Sequence, residues 1–211
     1  VLDWLDRTGE ADRTAVFALS DHGHITGRRK LDTAALFGEG GVRAANGAPG
    51  AGEIVLVPGS GAFVYRAQPD ANADTALADW LIDQPWCGAV FAGGRDGSAS
   101  WRDLGIDGPA QPSLAFTMRA DMLPDAHGVV GGCDFDADLP EGCGMHGGLH
   151  PLELANTFVA RIPGRSAGIV DDTPVSFREN APALCDLPRH APRGKARRGF
   201  RRGGPGASGA P

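Results

Sequence analysis

Two histidine-bearing stretches in this chain of 211 residues have the composition of metal sites: Ser20-Asp21-His22-Gly23 and, about 120 residues later, His146-Gly147-Gly148. Asp21 and His22 place a hard carboxylate oxygen beside an imidazole nitrogen, the mixed donor set that zinc accepts at about 2 Å. Neighbouring residues on a strand point to opposite faces, so both reach one ion only where the strand has ended and the chain turns, which Gly23 permits. A short Asp-His pair is a weak motif by itself, and a solvated turn is the competing reading. His146 precedes two glycines, where the backbone can approach a ligand closely; its competing reading is an exposed loop histidine. His24 and His150 flank these stretches, either as groups that orient ligands or touch substrate, or as ordinary loop residues. His127 and His190 have no such context.

The elements that must position these residues read as α/β. Residues 14–20 (TAVFALS) form a nearly unbroken apolar run, the pattern of a strand buried on both faces of a parallel sheet, and they end at Asp21-His22, where open α/β sheets place their active sites. Residues 53–57 and 62–66, separated by Pro58-Gly59-Ser60-Gly61, predict a hairpin. Residues 72–84 predict a helix with Asn72 as N-cap, a buried face of Leu77, Trp80 and Leu81, and a stop at Pro85. Strands are expected at about 87–92, 113–118 and 156–161, a helical start at 152–155, and a final helix within 171–187. The Gly-rich stretches 38–52 and 120–150 read as loops, the second long enough to suggest function. Trp80, Trp86 and Trp101 read as packing residues, since no basic groove accompanies them.

Composition narrows the classes. With 42% hydrophobic residues the chain can build a core, while 32 Gly and 16 Pro make it loop-rich. The net charge of -6 conceals seven basic residues and no carboxylate side chain from Arg189 onward, so residues 1–188 carry -13. An acidic body repels polyanions, which leaves nucleic acid as a partner only nonspecifically through the tail. That tail, 188–211, has Phe200 as its one large apolar residue and is expected to be disordered. Cys87, Cys133, Cys143 and Cys185 form no C-x-x-C pair; they read as reduced thiols, with a Cys133–Cys143 bridge as the alternative in an oxidising compartment. No membrane span and no signal sequence is visible, and the opening VLDWLDRTGEADRTAVFALSDHG reads as the middle of an α/β protein.

The strand running into Ser20-Asp21-His22-Gly23, with His146-Gly147-Gly148 ahead of a later strand, resembles the type I phosphodiesterase and nucleotide pyrophosphatase branch of the alkaline phosphatase superfamily. The segment His146–Glu153 and the stretches Asp171-Asp172-Thr173-Pro174 and Ala181-Pro182-Ala183-Leu184 look like that family's closing strand and helix. The resemblance covers about 1–187 and is weakest in 38–112. It implies a doubly wound, mostly parallel α/β sheet incomplete at its N-terminal side, with about 38–130 as an inserted cap. It further implies two zinc ions and a small phosphate-ester substrate. Asp21 and His22 would be ligands of one ion and His146 of the other.

The same resemblance implies a shortfall. The family has a further aspartate, a Thr or Ser nucleophile, and an Asp and His that complete the second site, all ahead of the S-D-H-G motif. Asp3, Asp6, Thr8 and Thr14 do not match those motifs. This polypeptide is therefore expected to hold three of six side-chain ligands, to lack the nucleophile, and to be inactive alone. The competing functions are a sulfatase, phosphonate-cleaving or phosphomutase-like branch of the superfamily, a non-catalytic protein with a nucleic-acid-attracting tail, and an inert α/β remnant with His22 and His146 far apart.

Overall fold

The computed structural model describes residues 1–93, 99, 100, 105, 108 and 111–185; Trp101, His190 and the basic tail lie outside these. In chain order the elements are α1 (Leu2–Thr8), β1 (Val16–Leu19), β2 (Ile25–Lys30), α2 (Thr33–Glu39), β3 (Ile54–Pro58), β4 (Gly61–Arg66), α3 (Ala71–Ile82) and β5 (Cys87–Phe91). They continue as β6 (Leu114–Met118), β7 (Ala120–Pro124), β8 (Val130–Phe135), β9 (Gly144–Met145), α4 (Pro151–Leu154), β10 (Phe158–Arg161) and α5 (Asn180–Cys185). The chain is thus mixed α/β with several sheets. Its described residues divide into two compact units, Ser20–Thr157, and Val1–Leu19 with residues 158–185. Among the described residues no helix is long and apolar enough to cross a membrane.

In the second of these units β1 pairs antiparallel with β10, Val16 opposite Arg161 and Leu19 opposite Phe158. The Phe17 and Phe158 rings meet at 5.8 Å, and Arg161 binds Asp6 at 2.9 Å. This corrects the expectation of a strand buried on both faces, because Val16 and Phe17 are half-buried and Ala18 and Leu19 exposed. An apolar run records what a strand can bury, whereas its burial depends on the layers that other segments supply.

The unit Ser20–Thr157 holds two four-stranded sheets. One has the order β3-β4-β6-β5 and is antiparallel throughout. The Pro58-Gly59-Ser60-Gly61 turn closes the expected hairpin, with Ile54 opposite Arg66 and Pro58 opposite Ala62. Over this sheet lies α3, whose N-cap is Asp70, accepting from the Ala73 amide at 2.9 Å, rather than the expected Asn72. Its Leu77, Ala78 and Leu81 are buried with Phe37, Ile54, Val64, Leu114 and Phe116 in the main apolar core. Trp80 and Trp86 pack there too, 5.9 Å apart, as their reading as packing residues requires.

The other sheet has the order β7-β8-β2-β9. Its central β2–β8 pair is parallel and its outer pairs are antiparallel. The expectation of a mostly parallel sheet is therefore not met among the described residues, where this is the one parallel pairing of named strands. Short connections such as residues 59–60 between β3 and β4 and 125–129 between β7 and β8 cannot accommodate the crossover that parallel neighbours need. The stretch 120–150, expected as one long loop, contains β7, β8 and β9. Gly131, Gly132 and Gly144 belong to the sheet: the Arg28 side chain lies across Gly132, where a Cβ would fall 2.0 Å from Arg28 Nε.

Candidate functional site

The β2–β9 ladder brings the two histidine stretches together. Ile25 stands opposite Met145 and Thr26 opposite Gly144, in antiparallel register. Extending that register by one residue sets His24 across from His146, and His22 follows two residues before. The imidazoles form a cluster: His22 and His146 stack at 3.9 Å between ring centroids with 19° between planes, and His24 meets them edge-on at 5.1 and 5.6 Å. His24 also covers Gly144, where a Cβ would sit 3.3 Å from its ring. His22 and His146 are thus adjacent, His24 joins them, and Asp21 lies against His22.

The Asp21–His22 pair has its own geometry. The His22 Nδ1–H donates to the Gly23 carbonyl at 2.8 Å, which leaves Nε2 as the ring nitrogen that faces Asp21. That nitrogen lies 3.5 Å from Asp21 Oδ1, which also accepts from the His22 amide at 3.0 Å. Two ligand atoms each about 2 Å from a tetrahedral zinc stand about 3.3 Å apart, so the pair fits one ion with little adjustment. Among the described residues no group of three or more His, Cys, Asp or Glu side chains is arranged to close around one ion.

Helix α4 clamps both stretches. A Cβ on Gly23 would fall 2.0 Å from the Leu152 carbonyl oxygen and 2.3 Å from that of Ala155, so only glycine lets the turn between His22 and His24 dock there. The Gly23 amide donates to the Glu153 carbonyl at 2.8 Å. On the other side Gly147 adopts φ 106°, and a Cβ on Gly148 would meet Glu153 Oε2 at 2.5 Å. His150, a candidate for substrate contact, instead caps α4: its Nδ1 accepts from the Leu152 amide at 3.2 Å while Glu153 accepts from the His150 amide. Sequence reasoning passed over Glu153, although His150-Pro151-Leu152-Glu153 has the spacing of a capping box with histidine in place of Ser or Thr.

Other features stand apart from this cluster. A cavity of about 200 Å³ is lined by Arg28, Arg29, Arg119, Asp121 and Asp134, among others, and by none of the histidines. Within it Arg28 pairs with Asp121 at 2.9 Å, and Arg29 with both oxygens of Asp134. All four cysteines are free thiols, so Cys133 and Cys143 are not bridged; both contribute to the small core of Ile25, Phe135 and Met145. Burial pushes the Cys133 thiol up to about 12, with the Glu153 and Asp134 carboxylates adding to the effect. Burial likewise pushes Cys87 up to about 12. No family model, no curated protein and no solved structure matches the chain.

Proposed function

We propose that the unit Ser20–Thr157 carries part of the metal site of a phosphate mono- or diester hydrolase of the type I phosphodiesterase and nucleotide pyrophosphatase kind, within the alkaline phosphatase superfamily. The observation that carries this reading is the placement of His22 against Asp21, at a spacing zinc ligands can adopt, and against the His146 ring. Asp21 Oδ1 and His22 Nε2 hold one zinc and His146 the second. Two zinc ions held there would supply Lewis-acid stabilisation of the charge on a phosphoryl group. In this reading the β3-β4-β6-β5 sheet belongs to a cap that shapes access to the site.

The chain's own residues bind and orient but do not attack. Two hydroxyls tied to this region hold structure instead: Ser20 Oγ accepts from the Thr157 amide at 2.8 Å, and Ser60 Oγ donates to Glu153 at 2.5 Å. With one or two protein ligands per ion and no nucleophile, zinc binds weakly and the two-step displacement cannot run. The test is turnover of p-nitrophenyl phosphate and bis(p-nitrophenyl) phosphate by the isolated chain with added zinc, alongside zinc titration. Weak binding that His22→Ala and His146→Ala each reduce, without turnover, is the expected result. Robust zinc-dependent turnover contradicts the claim of incompleteness, and binding indifferent to both substitutions contradicts the metal site.

A further inference from the structure

Glu153 is only 3% exposed, yet its carboxylate accepts from the β3–β4 turn, the His146 stretch and the start of α4. Oε1 accepts from Ser60 Oγ at 2.5 Å and from the Gly148 amide at 2.9 Å, while Oε2 accepts from the His150 amide at 3.2 Å. Its backbone carbonyl takes the Gly23 amide. One residue therefore ties down the turn between His22 and His24, the glycines after His146, and the start of α4. Ser60, 1% exposed, comes from the β3–β4 turn, a different sheet. That turn lies against the His146 stretch directly, since a Cβ on Gly61 would fall 3.3 Å from the Gly147 carbonyl oxygen and one on Gly59 3.9 Å from that of His146.

Such an arrangement exceeds what capping a four-residue helix requires. A buried carboxylate is costly unless its lone pairs are satisfied, and here donors from the hairpin and from the His146 stretch share one oxygen. We infer that Glu153 and Ser60 form a positioning pair that sets His146 relative to the His22 turn, and so couples the β3–β4 hairpin to metal affinity. The inference rests on the metal-site reading above. Groups that orient metal ligands through hydrogen bonds typically change affinity by about 10- to 100-fold when altered.

The experiment uses the full chain and three variants, Glu153→Gln, Ser60→Ala and His150→Ala, the last removing a helix cap without touching the Ser60–Glu153 bond. Zinc affinity is read by competition with a chromophoric chelator, ligand geometry by the visible absorption of bound cobalt, and folding by thermal melts. Glu153→Gln is expected to weaken zinc about 10- to 100-fold and to alter the cobalt band. Ser60→Ala, which leaves the other donors in place, is expected to shift both in the same direction by less, and His150→Ala to leave them unchanged. Wild-type affinity and an unchanged cobalt band in folded Ser60→Ala overturn the inference, even if Glu153→Gln does not fold.

Failure of the underlying reading looks different: the wild-type chain binds neither ion, or binds them regardless of His22 and His146. The metal-free protein then decides the positioning claim. Histidine-ring NMR resonances of His22 and His146 that move in Ser60→Ala sustain it, and resonances that stay in place refute it.

Discussion

The two sheets of the unit Ser20–Thr157 each have four strands, and what covers them differs sharply. Against β3-β4-β6-β5 lies a core that includes Phe37, Leu77, Leu81, Leu114 and Phe116, all at most 3% exposed. Against β7-β8-β2-β9 the buried cluster is only Ile25, Cys133, Phe135 and Met145, while Met122 and Leu123 stand 56% and 63% exposed on β7. The histidines belong to the thinner sheet. Their positions follow from a strand register, two glycine close approaches and one buried carboxylate, which are directional contacts. Apolar burial stabilises the first sheet, and hydrogen bonds shape the end of the second.

That contrast is open to direct attack. Phe116→Ala removes a fully buried ring between Phe37 and Trp86 and is expected to cost about 3–5 kcal/mol in urea unfolding, with zinc affinity of the folded fraction unchanged. A cost below about 1 kcal/mol would place the main core elsewhere. Gly23→Ala is expected to cost about 1–3 kcal/mol, since backbone must move to admit the methyl group. Unlike Phe116→Ala it should also weaken zinc, because His22 and His24 flank the displaced residue. Equal zinc affinity for both variants would erase the distinction between the two regions.

Two smaller effects sharpen it. The Cys87 and Cys133 thiols, one on each sheet, titrate near 12 in the folded chain against an ordinary value of 9.0. Between those values the folded state holds protons that the unfolded state has released, so rising pH favours unfolding. Stability is expected to be insensitive to these thiols below about pH 9 and to fall between 9 and 12. Urea midpoints at pH 8 and 10.5 check this, and a double Cys→Ala variant should flatten the fall. His150→Ala is expected to cost about 1 kcal/mol through the lost cap on α4, without the loss of zinc affinity that a ligand or substrate-side group would show.

Much of this organisation was legible in the residues, for reasons that also explain the failures. The β3–β4 hairpin and α3 were readable because Pro58-Gly59-Ser60-Gly61 and the Leu77, Leu81 spacing are local signals. Strands β8 and β9 were not, since Gly131, Gly132 and Gly144 read as loop, whereas pairing with β2 and β7 makes them strand and the Arg28 and His24 side chains lie across Gly132 and Gly144. The mostly parallel sheet failed similarly: periodicity shows that a segment can be a strand and leaves its partner undetermined. The adjacency of His22 and His146 was expected from their motifs, whereas the separation of His24 from His150 and the contacts of Glu153 depend on three-dimensional register.

The central claim is that Asp21, His22 and His146 are metal ligands, and histidine-ring NMR during zinc titration tests it most directly. The account predicts that the ring nitrogens of His22 and His146 shift together as zinc is added, with Nδ1 of His22 remaining protonated and Nε2 becoming the metal-bound atom. His127, exposed and outside the cluster, serves as the internal reference. Zinc-dependent shifts at His127 with His22 and His146 unmoved would contradict it.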